Sequence, residues 1–340
     1  MKVLYISDRR MGGIVNHVKC LTECLPPEVE RYVIGEYGDE PFAGKSGHSI
    51  REWFQIRRVI KRFRPDVIHF NTIPLFMALY VKLFWKGGVV CSIHTPSNPK
   101  PRFSRRLVNW AVQPCYWLPV SDANWKRFKA YHPGVKGEVF YNPIKIARSD
   151  WVFGRRDQGK EGESNDQAIK QSNNFIVGMV GRNADVKDWP SFHRVEDKVK
   201  GRGEGEQWSV EFLNAGEKEE CDGRAAIAKM DLFVMTSKSE ELPTTVLECF
   251  MLGTPICGFI PVGGTSDILG FSKGPVRAAF ISERDCDKLA DIVMDLLSHP
   301  EKRQALVEDG RQILENHFDA EKNVRGQLME IYKKVEGRDG

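Results

Sequence analysis

Glu240 and Glu248 stand eight residues apart in the stretch TSKSEELPTTVLECFMLGTPICGF, residues 236–259, one before and one after a Pro-Thr-Thr turn. The run DLFVMTS ahead of them reads as a strand and TTVLECFML as a helix, with Pro243 fitting the first turn and Thr244 placed to cap it. The N–H groups at a helix start are free and carry the positive end of its dipole, which suits an anion. Two carboxylates beside such a site repel a phosphate unless they point past it to neutral donors. Vicinal hydroxyls are such donors, since one carboxylate accepts from both. The pair therefore fits a ligand with a sugar at one end, a diphosphate in the middle and a ribose at the other. Two surface glutamates flanking a helix are the plainer alternative.

Other residues could serve the same chemistry. GRNADVKDW places Arg182 and Lys187 five apart, directly after the strand-like FIVGMV, and two cations at the mouth of a parallel sheet suit a diphosphate. SDRRMGGIVNHV puts Gly12 and Gly13 between a strand and a helix, where paired glycines let the backbone approach a ligand. The spacing is not that of a dinucleotide fingerprint, and a plain turn would also explain it. His94 ends a strand in CSIHTPSNP, a position where a lone histidine is usually structural. The His residues do not stand at zinc spacings. DCD (285–287) spells Asp-x-Asp, but it precedes a helix, so Asp287 reads as an N-cap. Neither a metal nor another cofactor is expected.

The elements that must position these residues alternate along the chain. KVLYIS (2–7), RYVIG (31–35), DVIHFN (66–71), GVVCSIH (88–94), YWLPVS (116–121) and EVFYNPI (138–144) read as strands. Between them, SIREWFQIRRVIKRF sets Ile50, Trp53, Phe54, Ile56, Val59, Ile60 and Phe63 on one helical face. LFMALYVKLFW (75–85) reads as a buried helix. From about 148 to 174 the pattern stops in a polar, Gly-containing stretch, a linker or loop by composition. It restarts with FIVGMVG (175–181), SVEFLNAG (209–216), DLFVMTS (231–237), TPICGF (254–259) and VRAAFIS (276–282), and closes with three helical segments. Strand–helix–strand repetition in two blocks predicts two α/β units, each a parallel sheet covered on both faces.

The bulk numbers agree. At 340 residues and 41% hydrophobic content the chain suffices for two ordinary soluble domains. No apolar run is long enough to span a bilayer and the start has no cleavage pattern, so a cytoplasmic location is expected. The eight Cys form no Cys-x-x-Cys pair, and buried free thiols are expected. Charge is uneven. Residues 1–150 hold 24 Lys and Arg against 12 Asp and Glu, while residues 151–340 hold 26 against 34. Basic stretches with interleaved aromatics, RRVIKRFR (57–64), KPRFSRR (100–106) and WKRFK (125–129), suit an anionic membrane surface. A solvated basic face is the bland alternative. No nucleic-acid motif accompanies them.

EELPTTVLECFMLGTPI resembles the Glu-x7-Glu signature of retaining glycosyltransferases of the GT-B fold, family 4, and the likeness runs from Gly12 to the last helices. It implies two Rossmann-like domains facing a central cleft: residues 1–147 on the acceptor side, a linker at 148–174, a nucleotide-sugar domain at 175–318, and a C-terminal helix at 319–340 packing back across the hinge. It implies transfer of a sugar from a nucleotide-diphosphate sugar to a glycan or lipid-linked acceptor, with retention and without metal. Peripheral attachment to the inner face of a membrane would follow for a lipid-linked acceptor. In the family this Arg182 and Lys187 bind the donor diphosphate and stabilise the leaving group. Glu240 and Glu248 hold sugar and ribose beside Pro243, Thr244 and Thr245, the Gly12–Gly13 loop faces the donor phosphates and acceptor, and His94 lies beside the donor sugar. PVGGTSDIL resembles the family's Gly-Gly-x-x-Glu loop near the sugar, through Gly263, Gly264 and Asp267, with Asp in place of Glu. Ser121 and Asn142 match lesser elements. Glu241 stands where Gly is usual. Only 13 residues, 217–229, occupy the place of a strand and helix whose loop grips the base in the family. A sugar-nucleotide 2-epimerase of similar shape and a non-catalytic nucleotide-sugar-binding subunit are the competing readings.

Overall fold

The computed structural model describes residues 1–7, 13–35, 38–41, 50–71, 75–94, 110–111, 113–146, 174–204, 206, 208–217 and 221–336. Gly12, the polar stretch proposed as a linker (apart from Asn174) and the KPRFSRR stretch lie outside the described residues. The chain divides into two compact units, Met1–Lys145 with Phe318–Gly340, and Ile146–His317.

The first unit is built on six parallel strands: β1 (Lys2–Ile6), β2 (Glu30–Ile34), β3 (Val67–Phe70), β4 (Gly88–Ile93), β5 (Tyr116–Pro119) and β6 (Lys136–Gly137), in the order β2-β1-β3-β4-β5-β6. Parallel neighbours need crossovers, and helices α1 (Gly13–Cys24), α2 (Ile50–Phe63), α3 (Leu75–Phe84) and α4 (Asp122–Tyr131) lie between successive strands. Alternate strand residues fill two cores. Val3, Tyr5, Val67, Val90 and Leu118 pack on the α1 side with Val18 and Leu21. Leu4, Ile6, Ile68, Phe70 and Cys91 pack on the other with Ile56, Val59 and Ile60 of α2. The α1 side is completed by the end of the chain. Val324, Leu328, Ile331, Tyr332 and Val335 are all buried there. Val335 lies so close to β4 that a Cβ at Gly88 would sit 2.8 Å from its side chain.

The second unit carries five parallel strands, β7 (Asn174–Val180), β8 (Ser209–Ala215), β9 (Leu232–Met235), β11 (Ile256–Phe259) and β13 (Phe280–Ile281), in the order β13-β11-β9-β7-β8. A separate two-stranded ribbon joins β10 (Ser239–Glu240) to β12 (Val262–Gly263). Helices α5 (Trp189–Arg202), α6 (Gly223–Ile227), α7 (Thr244–Leu252), α8 (Thr265–Gly270), α9 (Cys286–Ser298) and α10 (Pro300–His317) complete it. The short 217–229 segment holds only α6 among its described residues, and β8 stays at the sheet edge.

Three sequence expectations are corrected. EVFYNPI is not a strand: Glu138 N and Phe140 N still donate to the Trp117 and Pro119 carbonyls of β5, but Pro119 has no N–H to return a bond, so residues 138–143 run irregularly and Ile144 makes only an isolated bridge to Asp319. Phe54 does not join the inner face of α2. It lies two residues from Ile56, on the opposite side of the helix, and is exposed. The helix 75–84 is not wholly buried: Val81 faces the core, but Leu83 and Phe84 are exposed, Phe84 to 71%. All eight Cys are free, and Cys24, Cys91, Cys115, Cys249 and Cys257 are buried. No described helix is long and apolar enough to cross a membrane.

Candidate functional site

In the second unit the chain leaves β7 for β8 on one side and returns to β9 on the other. Such a switch point opens a crevice at the carboxyl ends of the strands, and ligands of parallel sheets bind there. Arg182 and Lys187 follow β7, and Ser237 to Glu240 follow β9.

Lys187 ends a single 3₁₀ turn, Asp185–Lys187. Its stem runs beside Gly181, where a Cβ would come within 3.1 Å of Lys187 Cδ. Its Nζ donates to Glu240 Oε1 at 2.6 Å, with both side chains only 16% exposed. The backbone makes this pair. Lys238 N donates to the Val186 carbonyl at 2.7 Å, tying β10 to the turn, and Lys238 Nζ reaches Asp185 Oδ1 at 2.9 Å. On its other edge β10 pairs Glu240 with Gly263, and Gly264 N donates to Glu240 O at 2.9 Å. Gly263 has φ 122°, and a Cβ there would lie 2.0 Å from Glu240 O, so only glycine fits. The Gly263–Gly264 loop thus fixes Glu240 through the backbone and begins α8, with Asp267 in its first turn. Arg182 is exposed, and its carbonyl accepts from Trp189 Nε1 at 3.3 Å.

Helix α7 starts at Thr244, with Pro243 at the cap position and no side chain capping it. The expected Thr244 cap is corrected, because Thr244 is itself the first helical residue. The first N–H groups have no side-chain acceptor, as an anion site requires. Thr245 and Glu248 lie one turn apart on this helix. Glu248 Oε1 accepts from Arg224 Nε of α6 at 3.3 Å. Burial raises the Glu248 carboxyl above the ordinary glutamate range, and the half-exposed Arg224 guanidinium offsets only part of that.

Two contributors escaped sequence reasoning. Arg224 sits in the short segment between β8 and β9, where nothing in the local pattern marks it. Arg284 follows β13, and its guanidinium donates to the Thr236 carbonyl at 2.6 Å and the Ser237 carbonyl at 3.1 Å. It also pairs with Asp188 and lies over the Phe259 ring at 4.6 Å. Asp188 is in the left-handed region at φ 54°. Burial pushes its carboxyl up, but the Ser191 hydroxyl and Arg284 outweigh this and hold it below the usual range. Arg284 thereby clamps the loop after β9 to the loop that bears Lys187. Its only sequence signal is its place at a strand's carboxyl end. Asp285, not Asp287, caps α9, accepting from Asp287 N and Lys288 N, because the helix starts two residues earlier than that cap implies. Among the described residues no three His, Cys, Asp or Glu gather as a metal site. Glu241 is half-buried beside Glu240.

The remaining sequence candidates belong to the first unit. Gly13 opens α1. His94 follows β4, with Nε2 at 3.4 Å from Asn71 Oδ1 and its ring edge-on to His17 at 4.6 Å. Ser121 caps α4, accepting from Asn124 N at 3.1 Å, which is a structural role. Asn142 is buried in the irregular stretch before Ile144.

Comparison with known proteins agrees with this geometry. Residues 11–148 match the family model Glycosyltransferase Family 4, and residues 164–313 match Glycosyl transferases group 1. Together the two matches take in most of the chain. Among solved structures, the fold is shared with a glycosyltransferase from Rickettsia africae, at TM-score 0.73 and 13% identity over 99% of both chains. It is shared with Anabaena Alr3699/HepE, crystallised with UDP, at TM-score 0.66 and 15% identity over 98% of this chain and 100% of that one. Sucrose-phosphate synthase from Thermosynechococcus elongatus matches at TM-score 0.66 and 14% identity over 98% of both chains. No curated protein matches in sequence. The fold is GT-B, two Rossmann-like parallel-sheet units. The chain belongs to the family 4, group 1 glycosyltransferases and is a glycosyltransferase.

Proposed function

We propose that this enzyme transfers a sugar from a nucleotide-diphosphate sugar to an acceptor hydroxyl with retention of anomeric configuration, without needing a metal. The observation that carries it is the Lys187–Glu240 pair, set at the second sheet's switch point and close in sequence to the uncapped start of α7. Lys187 has three donors and spends one on Glu240, so it can serve a phosphate as well. With the exposed Arg182 and the first N–H groups of α7, it would neutralise charge as the C1–O(phosphate) bond breaks. Glu240 would accept from sugar hydroxyls and Glu248 from the ribose diol. The acceptor oxygen forms the new bond to C1, and its proton passes to the departing phosphate oxygen on the same face. The products are the glycoside and the free nucleoside diphosphate. HepE has been crystallised with UDP-glucose, which makes a UDP-sugar the first donor to try.

For the acceptor we favour a lipid-linked molecule at an anionic membrane. Four of the six exposed large hydrophobic residues among those described, Phe54, Leu83, Phe84 and Trp110, belong to the first unit. Rings link Phe54 to Phe84 through Trp53 and Tyr80, and Lys82 lies over Trp110 at 5.6 Å. Arg51, Arg57 and Lys61 are exposed along α2. Aromatic tips among cations suit a headgroup layer.

The test is calorimetric binding of UDP, GDP, ADP and CMP, with Glu248→Ala and Arg182→Ala alongside. One diphosphate should bind tightly and lose affinity in both variants; binding of none would sink the reading. NMR of the product reports the anomer, and an excess of chelator should leave the rate unchanged. Nucleoside diphosphate released only with acceptor present excludes the epimerase and the passive binder. Phe84→Ser with Leu83→Ser should reduce sedimentation with vesicles containing phosphatidylglycerol.

A further inference from the structure

Between β8 and β9 the chain has only the short stretch that carries α6, and there this sequence departs from the layout that the family resemblance implies. A helix of 5 residues does not stand by itself, so α6 holds its place through contacts. The Asp222 carboxylate caps it, accepting from Arg224 N at 3.1 Å and Ala225 N at 3.2 Å. Ile227 is fully buried, and its carbonyl accepts from Thr254 Oγ1 at 3.1 Å. Gly223 lies against the end of β7, where a Cβ would come 3.1 Å from Val180 Cγ1. The backbone that bears Arg224 is thereby fixed at the carboxyl end of β7.

From there Arg224 reaches α7. Its Nε donates to Glu248 Oε1 at 3.3 Å, and among the described residues neither side chain has another hydrogen-bond partner. The arginine side chain is 52% exposed and the glutamate 14%. The manner of contact matters. A fork-on-fork pair would spend both carboxylate oxygens on the guanidinium, whereas a single bond through Nε leaves Oε2 open. Glu248 is a carboxylate held at one oxygen with acceptor capacity left at the other.

What it can accept depends on its charge. Ionised, a carboxylate is acceptor-only and can receive both hydroxyls of a vicinal diol; protonated, it carries a donor of its own and loses acceptor capacity. Burial works against the ionised form and raises the Glu248 carboxyl. Arg224 opposes that rise through its charge and its hydrogen bond, and the Asp222 carboxylate adds to it. These two, from α6 and its cap, are the charged groups that act on Glu248. Without Arg224 the buried carboxylate would have no partner, and such a group takes up a proton rather than stay charged.

We infer that Arg224 is the positioning residue that makes Glu248 a receptor for the ribose diol, and that the donor site thereby selects a ribonucleotide over its deoxy counterpart. This rests on the sugar-transfer reading above, in which Glu248 meets the ribose. Arg224 acts through Glu248 and not on the substrate.

The test is calorimetry on the full chain with whichever of UDP, GDP and ADP binds, beside its 2′,3′-dideoxy analogue, which keeps the phosphates and base but has no diol. At about pH 7 the parent should bind the ribonucleotide roughly tenfold or more tighter than the dideoxy form. Arg224→Met keeps the stem and deletes the donors. At about pH 6 it should weaken the ribonucleotide roughly tenfold. The dideoxy affinity should stay within about twofold, which also reports that the variant is folded. With the arginine gone, Glu248 holds its proton to higher pH, so the lost preference should return as pH rises toward about 8. Arg224→Lys keeps the charge and should restore part of it. In Glu248→Gln, Arg224→Met should have no further effect. An equal loss for both nucleotides would make Arg224 a structural residue and overturn the inference with the donor reading intact. A parental preference that Arg224→Met leaves unmoved would overturn it in the same way. A parent that binds both forms alike would remove the ribose contact of Glu248, and the inference with it, while diphosphate binding stands. Binding of no diphosphate is a separate failure, in which the donor reading itself falls and takes the inference with it.

Discussion

At the scale of single residues, the proposal turns on which groups meet the phosphate and which meet hydroxyls. Lys187 and Glu240 share one hydrogen bond, so removing either disturbs both, and only their separate effects on binding tell the roles apart. Lys187→Ala removes a charge-assisted donor and should weaken nucleoside diphosphate binding by roughly 10- to 100-fold. Glu240→Gln should leave that affinity within a few-fold while depressing turnover of the nucleotide sugar. Calorimetry and steady-state kinetics on the two variants decide it, and equal losses of diphosphate affinity would refute the division of labour. Glu248 gives a second test through protons. Its carboxyl is raised by burial, so in the folded protein it holds a proton at a pH where the unfolded chain has released it. Its contribution to stability is therefore full below the ordinary glutamate pKa and lost as pH rises through the raised value. A ribose diol donating to the carboxylate favours the ionised form and pulls that value down. Nucleotide binding at about pH 5, just above the ordinary glutamate value, should then release protons, seen as heats that vary with the buffer's ionisation enthalpy. Glu248→Gln should remove the dependence, and proton uptake in the parent would contradict the assigned contact.

At the scale of elements, the site is a set of loops held by backbone bonds and one clamp. Arg284 binds the carbonyls of Thr236 and Ser237 and the carboxylate of Asp188, and so fixes the loop after β9 against the turn that carries Lys187. It does not meet the proposed substrate atoms and acts as a positioning residue. Arg284→Met keeps the stem over Phe259 but deletes the donors. We expect kcat to fall about tenfold or more, since small misplacements of a catalytic group are costly. Thermal stability should fall only modestly, and Arg284→Lys should restore part of the rate. A loss explained wholly by unfolding would make Arg284 an ordinary stabilising residue. This scale also marks where sequence reading stopped. Strand–helix alternation gave most elements and the Glu-x7-Glu spacing led to Glu240, because both are local patterns. Arg284 and Arg224 lie far in sequence from the residues they hold, and a lone arginine carries no periodicity. The strand expected at 138–144 failed because its apolar residues face a core that Phe318 and the chain end complete, with a proline breaking the ladder. Phe54 failed because it stands two residues from Ile56, on the far side of the helix, while the polar Glu52 and Gln55 take buried positions.

At the scale of the whole molecule, the two units close differently. The second is one continuous stretch, Ile146–His317. The first is left incomplete by residues 1–145 and finished by the segment from Phe318 onward. That segment buries Phe318, Val324, Leu328, Ile331, Tyr332 and Val335, and the Tyr332 hydroxyl joins Tyr5 to His69 inside the first unit. Each large apolar side chain contributes roughly 1.5–3 kcal/mol on burial, so six contribute on the order of 10 kcal/mol, comparable with the entire stability of a domain. Removal would also orphan the Tyr5 hydroxyl and one His69 nitrogen, adding about 1–3 kcal/mol for each. A chain ending at His317 should therefore lose the cooperative fold of its first unit while keeping that of the second. Hydrogen exchange of the truncated chain should show protection gone from β1, β3 and β4 and retained in β7, β9 and β11. Nucleoside diphosphate binding should survive the truncation if its site is built within the second unit alone. Slow exchange persisting in β1 and β3 would mean that the first sheet holds without its last helix.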